Sequence, residues 1–228
     1  MESPLVIFLH GMARTAISMK SIEKAVKKSG FETLNINYPS RKERIPGLGE
    51  YLVEQLQEKV APERPISCVT HSMGSLVARI AMSKQPERNW QSAVFVAPPS
   101  QGSRVAQKIG NHPLTRGFFE WFYGPAGQQL AKHELEIPLP ICPVGVIAGS
   151  KSSSFTNPTS WVSRHGLFEN RKSDGTVSVE ETRLPDMEDF IILDLDHTTI
   201  MSDPGVHQLA VAFLRAKSFD SVRSPLLS

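Results

Sequence analysis

Short apolar runs in this chain alternate with segments whose apolar residues recur at three- and four-residue steps, and no other feature limits the fold as tightly. Leu5 to Leu9, Glu32 to Ile36, Ile66 to Val69, Ala93 to Val96, Val144 to Ala148 and Phe190 to Leu193 read as strands. Between them, Leu48, Tyr51, Leu52 and Leu56 share one helix face. A last helix starts near Pro204, with Val206, Leu209, Ala210, Phe213 and Leu214 at helical spacing. Proline suits a first helical turn, where its missing N–H has no intrahelical partner. Strand-like runs separated by helix-like segments are the sequence form of an α/β domain, a mostly parallel sheet flanked by helices on both faces. There is no internal repeat.

The 228 residues suffice for one domain that buries roughly 70% of the surface its unfolded chain exposes. With 25 basic residues against 23 acidic, the chain carries no nucleic-acid footprint and no polybasic membrane patch. Lys20, Lys24, Lys27 and Lys28 cluster, but Ile22, Ala25 and Val26 lie on the opposite face of the same helix, so the lysines read as a solvated face. The opening MESPLVIFLHG is too short and wrongly flanked for a secretory signal, and no apolar run reaches transmembrane length. Cys68 and Cys142, both placed in buried strands, are too few for a disulfide scaffold and read as reduced core residues, so a cytoplasmic location is expected. The expected organisation is one domain over residues 1–217 and a flexible tail over 218–228.

The chemistry-bearing residues fall at the ends of these runs. In CVTHSMGSL, residues 68–76, Ser72 stands between the strand Ile66 to Val69 and a helix face of Leu76, Val77, Ile80 and Ala81. A sharp strand-to-helix turn needs small neighbours; Gly74 provides one, whereas the β-branched Thr70 is expected to crowd the turn. In VIFLHGM, residues 6–12, a strand runs straight into His10 and Gly11, which alone is an ordinary strand-to-loop turn. A serine hydroxyl at its ordinary pKa is a poor nucleophile and needs a base with an orienting acid. His197 ends DFIILDLDH, residues 189–197, in a loop at a strand's carboxyl end, where catalytic groups gather on open sheets. Its rival His207 lies inside the last helix beside Val206, a place for packing or solvation, while His71, His112, His133 and His165 read as structural. For the acid, Asp174 in SDGTVSVEET competes with Asp194 and Asp196, but neighbours in an extended chain point to opposite faces, which disfavours Asp196. Asp174-Gly175 is also an ordinary turn pair. Asp194, Asp196 and His197 are too few ligands for a metal site, and no metal is expected.

These motifs resemble, in their chain order, those of the α/β-hydrolase superfamily, lipase and esterase branch. Ser72 with Gly74 resembles the GxSxG nucleophile elbow, departing from it at Thr70; the HG pair is similar to the oxyanion-hole loop; SDGTVSVEET resembles the loop that carries the acid of many bacterial lipases. The resemblance implies a Ser72, Asp174, His197 triad, with the backbone N–H groups of Met12 and Met73 as oxyanion donors and His10, Gly11 and Gly74 as supports. It implies a small sheet lacking the antiparallel pair that opens larger relatives. It also implies a lid-like insertion at about residues 98–141, where PPSQGSRVA looks lipase-like and GFFEWFYG gathers Phe118, Phe119, Trp121, Phe122 and Tyr123. Those aromatics either line an apolar substrate cleft or pack on the body of the domain. The implied activity is cofactor-independent hydrolysis of small ester or lipid-like substrates through an acyl-enzyme. A thioesterase or acyltransferase would use the same residues. A binding protein without turnover would have no chemical need to keep all three polar positions.

Overall fold

A computed structural model describes residues 4–111, 124–129, 136–152 and 172–227. Six strands form one sheet: β1 (Leu5–Leu9), β2 (Thr33–Ile36), β3 (Ile66–His71), β4 (Trp90–Val96), β5 (Val144–Gly149) and β6 (Asp189–Leu193). Their order is β2-β1-β3-β4-β5-β6, and every pairing is parallel. Helices among the described residues include α1 (Lys20–Lys28), α2 (Ile45–Lys59), α3 (Gly74–Lys84), α4 (Arg104–Asn111), α5 (Val179–Thr182), α6 (Pro204–Ala216) and α7 (Asp220–Leu227). No described helix is long and apolar enough to cross a membrane.

Successive residues of the strands feed opposite layers, as the two-residue period of a strand requires. Leu5, Ile7 and Leu9 of β1, with Cys68 and Phe95, pack against Leu48, Leu52 and Leu56 of α2 and Leu76, Val77 and Ile80 of α3. Val6 and Phe8, with Val69, Val94 and Ile147, pack against Ile22 and Val26 of α1 and Val206, Leu209 and Phe213 of α6. Both faces of the sheet are thereby covered, which a parallel sheet with crossover helices demands. Because the order reverses at β1, the chain leaves β1 toward α1 on one face and leaves β3 toward α3 on the other. Such a switch point, at the strands' carboxyl ends, is where open α/β sheets place their ligand sites.

Several boundaries differ from the sequence reading. β4 begins at Trp90, three residues before Ala93: Trp90 and Ser92 are buried and Gln91 is exposed, an alternation hidden by the polar residues. Cys68 is buried as expected, but Cys142 lies just before β5 rather than in it and is only partly buried; both are free thiols. The greatest difference is at the tail. Residues 218–227 do not trail away: Phe219 is fully buried, its ring centroid 5.2 Å from that of Phe213, and α7 follows it. Asp189 accepts the Phe219 amide at 2.6 Å and pairs with Arg223, anchoring the turn between α6 and α7 on the start of β6.

Candidate active site

Ser72 occupies the junction of β3 and α3 with φ = +50°, a left-handed conformation that non-glycine residues adopt only when their surroundings enforce it. The enforcement is visible. The Ser72 amide donates to Val96 O at the end of β4 (2.9 Å), and the Ser72 carbonyl accepts from the Ser75 amide (3.0 Å) and hydroxyl (2.8 Å). The turn also presses on the end of β1. A Cβ at Gly74 would sit 2.7 Å from Leu9 O and 2.9 Å from His10 O, and one at Gly11 would sit 2.9 Å from His71 Nδ1. Thr70, expected to crowd this turn, does not: it is the fifth residue of β3, in ordinary extended register with Leu9 and Phe95.

His197 reaches this serine from the loop after β6, its Nε2 3.0 Å from Ser72 Oγ. Its Nδ1 lies 2.6 Å from Asp174 Oδ2. A carboxylate can only accept, so Nδ1 carries the proton and Nε2 presents its lone pair to the serine hydroxyl. Asp174 is held in turn: its Oδ1 accepts the amides of Thr176 (2.9 Å) and Val177 (2.8 Å), and its side chain is excluded from solvent. The carboxylate that closes the Asp-Gly turn is therefore the one that faces His197. The main chain adds a further link, from the His197 amide to Asp174 O at 3.0 Å.

Two residues complete the frame. His71, next to the serine, is 2% exposed, and its Nε2 donates to His197 O at 3.0 Å. Burial holds its pKa well below the ordinary 6.5, with the charges of His197 and Arg14 acting in the same direction. Read from sequence as structural, it touches both neighbouring loops, and its place beside Ser72 was the available signal. Tyr38, in the loop after β2, stacks on His10 with centroids 4.2 Å apart and donates its hydroxyl to His10 O. His10 Nδ1 donates to Gly11 O at 2.8 Å and Nε2 accepts the Tyr38 amide at 3.4 Å, which fixes the peptide plane that ends in the Met12 N–H. Burial lowers the His10 pKa and raises that of Tyr38, so both stay neutral. No sequence signal marked Tyr38. Met73 is buried at the N-cap of α3, directly after Ser72, and Met12 is partly buried.

The rival residues lie elsewhere. Asp196 accepts the amides of Thr198 (2.9 Å) and Thr199 (3.1 Å) and serves as a cap for the turn that follows His197. His207 bonds Met201 O from α6 at 2.9 Å. Phe118, Phe119, Trp121, Phe122 and Tyr123, with His112, His133 and His165, lie outside the described residues, as does much of the expected 98–141 insertion.

Residues 1–101, which hold His10, Gly11 and Ser72, match the family described as "Putative serine esterase (DUF676)". No curated protein matches the sequence. Among solved structures, the mature lipase BlEst2 of Bacillus licheniformis aligns with TM-score 0.75 at 16% identity, over 93% of this chain and 91% of that one. Phospholipase PlaB of Legionella pneumophila aligns with TM-score 0.69 at 14% identity, over 98% of this chain and 62% of that one. The type II thioesterase YbtT of the yersiniabactin pathway aligns with TM-score 0.52 at 14% identity, over 96% and 94%. The likeness to these structures shows that the chain has the α/β-hydrolase fold, and its first 101 residues match a family of serine esterases by description.

Proposed function

We propose that this protein is a lipase- or esterase-like serine hydrolase that cleaves carboxylic esters through an acyl-enzyme formed on Ser72. The observation that carries the reading is the unbroken hydrogen-bond chain from Asp174 through His197 to Ser72, with spans of 2.6 and 3.0 Å. In the first half-reaction His197 Nε2 takes the Ser72 proton as Oγ attacks the ester carbonyl. Asp174 keeps the imidazole in the required tautomer and stabilises the imidazolium. The tetrahedral intermediate collapses, the proton passes from His197 to the departing alcohol, and the acyl group stays on Ser72. Water, deprotonated by the same nitrogen, then releases the acid and regenerates the serine.

The backbone N–H groups of Met12 and Met73 are assigned to the developing oxyanion. Met73 begins α3, whose dipole places partial positive charge at that end. The Met12 amide is aimed by the His10 bond to Gly11 O on its own peptide and by the Tyr38 bond to His10 O on the preceding one. One such donor typically contributes about 3 kcal/mol to the barrier reduction. The substrates proposed are lipid-like or small esters; thioester cleavage is a second reading, favoured by the likeness to YbtT.

A fluorophosphonate probe tests the nucleophile. The expected result is one covalent adduct on Ser72 and loss of p-nitrophenyl ester hydrolysis in Ser72→Ala. Equal hydrolysis by the folded variant and the wild type would leave a binding protein as the better description, and a panel of matched esters and thioesters separates the two leaving groups.

A further inference from the structure

Arg14 bridges the two loops beside Ser72 and His197. It stands two residues beyond Met12, after a backbone reversal at Ala13 (φ +54°), and its Nη2 donates to Thr198 Oγ1 at 3.1 Å. Thr198 follows His197 directly, so this side chain spans from the loop after β1 to the loop after β6, the two loops that flank Ser72. The guanidinium is exposed, and among the described residues no carboxylate pairs with it. One neutral hydroxyl occupies one of five N–H donors. Its charge nevertheless reaches the elbow, since it acts, after burial and His197, to hold His71 neutral. An exposed guanidinium bonded to the residue after His197, with most of its planar fork unused, matches a carboxylate or phosphate.

We propose that Arg14 is a specificity-determining residue that selects esters carrying a negative group, carboxylate or phosphate, close to the scissile carbonyl. The proposal rests on the ester-hydrolase reading. The guanidinium would engage the substrate's anion through the donors that Thr198 leaves unused, while Thr198 keeps the side chain extended between the two loops. Electrostatic attraction of this kind acts on capture as well as on binding and weakens with salt.

Two substrate pairs test it. In one, the negative group lies on the acyl side: p-nitrophenyl hemiglutarate against p-nitrophenyl valerate. In the other it lies on the alcohol side: a 1-acylglycerol 3-phosphate against the monoacylglycerol of equal chain length. The quantity read is the ratio of kcat/KM for the anionic ester to that for its neutral partner, in wild type, Arg14→Lys and Arg14→Gln. In at least one pair the ratio is expected to fall about 10-fold or more in Arg14→Gln, as for a lost charge-assisted hydrogen bond. Arg14→Lys should lie between, keeping the charge without the fork, and the wild-type ratio should shrink with added salt. The pair that responds identifies the anion's side. Unchanged ratios in both pairs, or equal loss for anionic and neutral esters in Arg14→Gln, overturn the proposal. Fluorophosphonate labelling of Ser72 in the wild type reports separately on the underlying reading.

Discussion

Replacing Asp174 with asparagine probes the proposed mechanism at the point where the structure fixes the outcome most closely. The carboxylate divides its work: Oδ1 accepts the Thr176 and Val177 amides at 2.9 and 2.8 Å, and Oδ2 faces His197 Nδ1. In the variant, the amide oxygen must remain on the two backbone donors, because an NH2 group there would meet N–H against N–H. The NH2 then faces His197, whose Nδ1 can only accept from it, so the imidazole proton moves to Nε2. Ser72 is left facing an N–H instead of a lone pair, with heavy atoms barely displaced. The corresponding change in a serine protease costs about 10⁴ in kcat, or roughly 5.4 kcal/mol at 1.36 kcal/mol per decade. Because the two turn bonds persist, stability should change by no more than about 1 to 2 kcal/mol. The assay is kcat for a p-nitrophenyl ester beside thermal and urea denaturation of the same samples. A folded variant within tenfold of wild-type kcat refutes the argument. Ser72→Ala and the double variant provide a control, and a unit acting together predicts nearly equal rates for them.

Other outcomes follow from the same frame. Gly74→Ala must push a Cβ against main-chain oxygens of Leu9 and His10 that cannot swing aside, so a loss of about 2 to 3 kcal/mol is expected in urea melts, and an unchanged midpoint would contradict the contact. His71 titrates at an ordinary 6.5 when unfolded and well below that when folded. The unfolded chain therefore binds more protons in the window beneath 6.5, and stability should fall there by up to about 1.4 kcal/mol per pH unit. His71→Gln, which can still donate to the His197 carbonyl, should lose that slope, whereas parallel slopes for variant and wild type would refute it. For Asp189, burial pushes the carboxyl pKa up, but the bonds from the Phe219 amide and Arg223 outweigh it, leaving it below the ordinary 3.8. Its anchoring is complete above 3.8 and is lost as pH falls through the lower folded value. Asp189→Asn should speed amide exchange across residues 218–223 at neutral pH, and unchanged protection would mean that Phe219 alone holds the turn.

Much of this arrangement was legible because its signals are local. Apolar runs bounded by polar ones gave six strands within a few residues of their observed limits, and a parallel sheet sends its strand ends to one rim, so Ser72 and His197 could be placed there before any coordinates. Asp174 was legible as a turn, and the structure shows why a turn suits it: the same carboxylate that closes the turn faces the histidine. What escaped is tertiary. Tyr38 and His10 meet only because β1 and β2 pair side by side, and His71 reaches a carbonyl 126 residues away. Neither contact has a period or spacing. Thr70 misled in the opposite direction, since the family pattern suggested crowding where the backbone is an ordinary strand. The last helix escaped because its anchor is one phenylalanine and one distant aspartate, not a repeating face.

The main-chain bonds at the site carry a consequence for heating. Ser72 is tied to the end of β4 and His197 to Asp174 through peptide groups, and the His71 ring holds the His197 carbonyl, all at the ends of central strands or the loops beside them. The hydroxyl and its imidazole already stand 3.0 Å apart. Warming should therefore leave turnover intact until the sheet itself comes apart, and inactivation and cooperative melting should occur at one temperature.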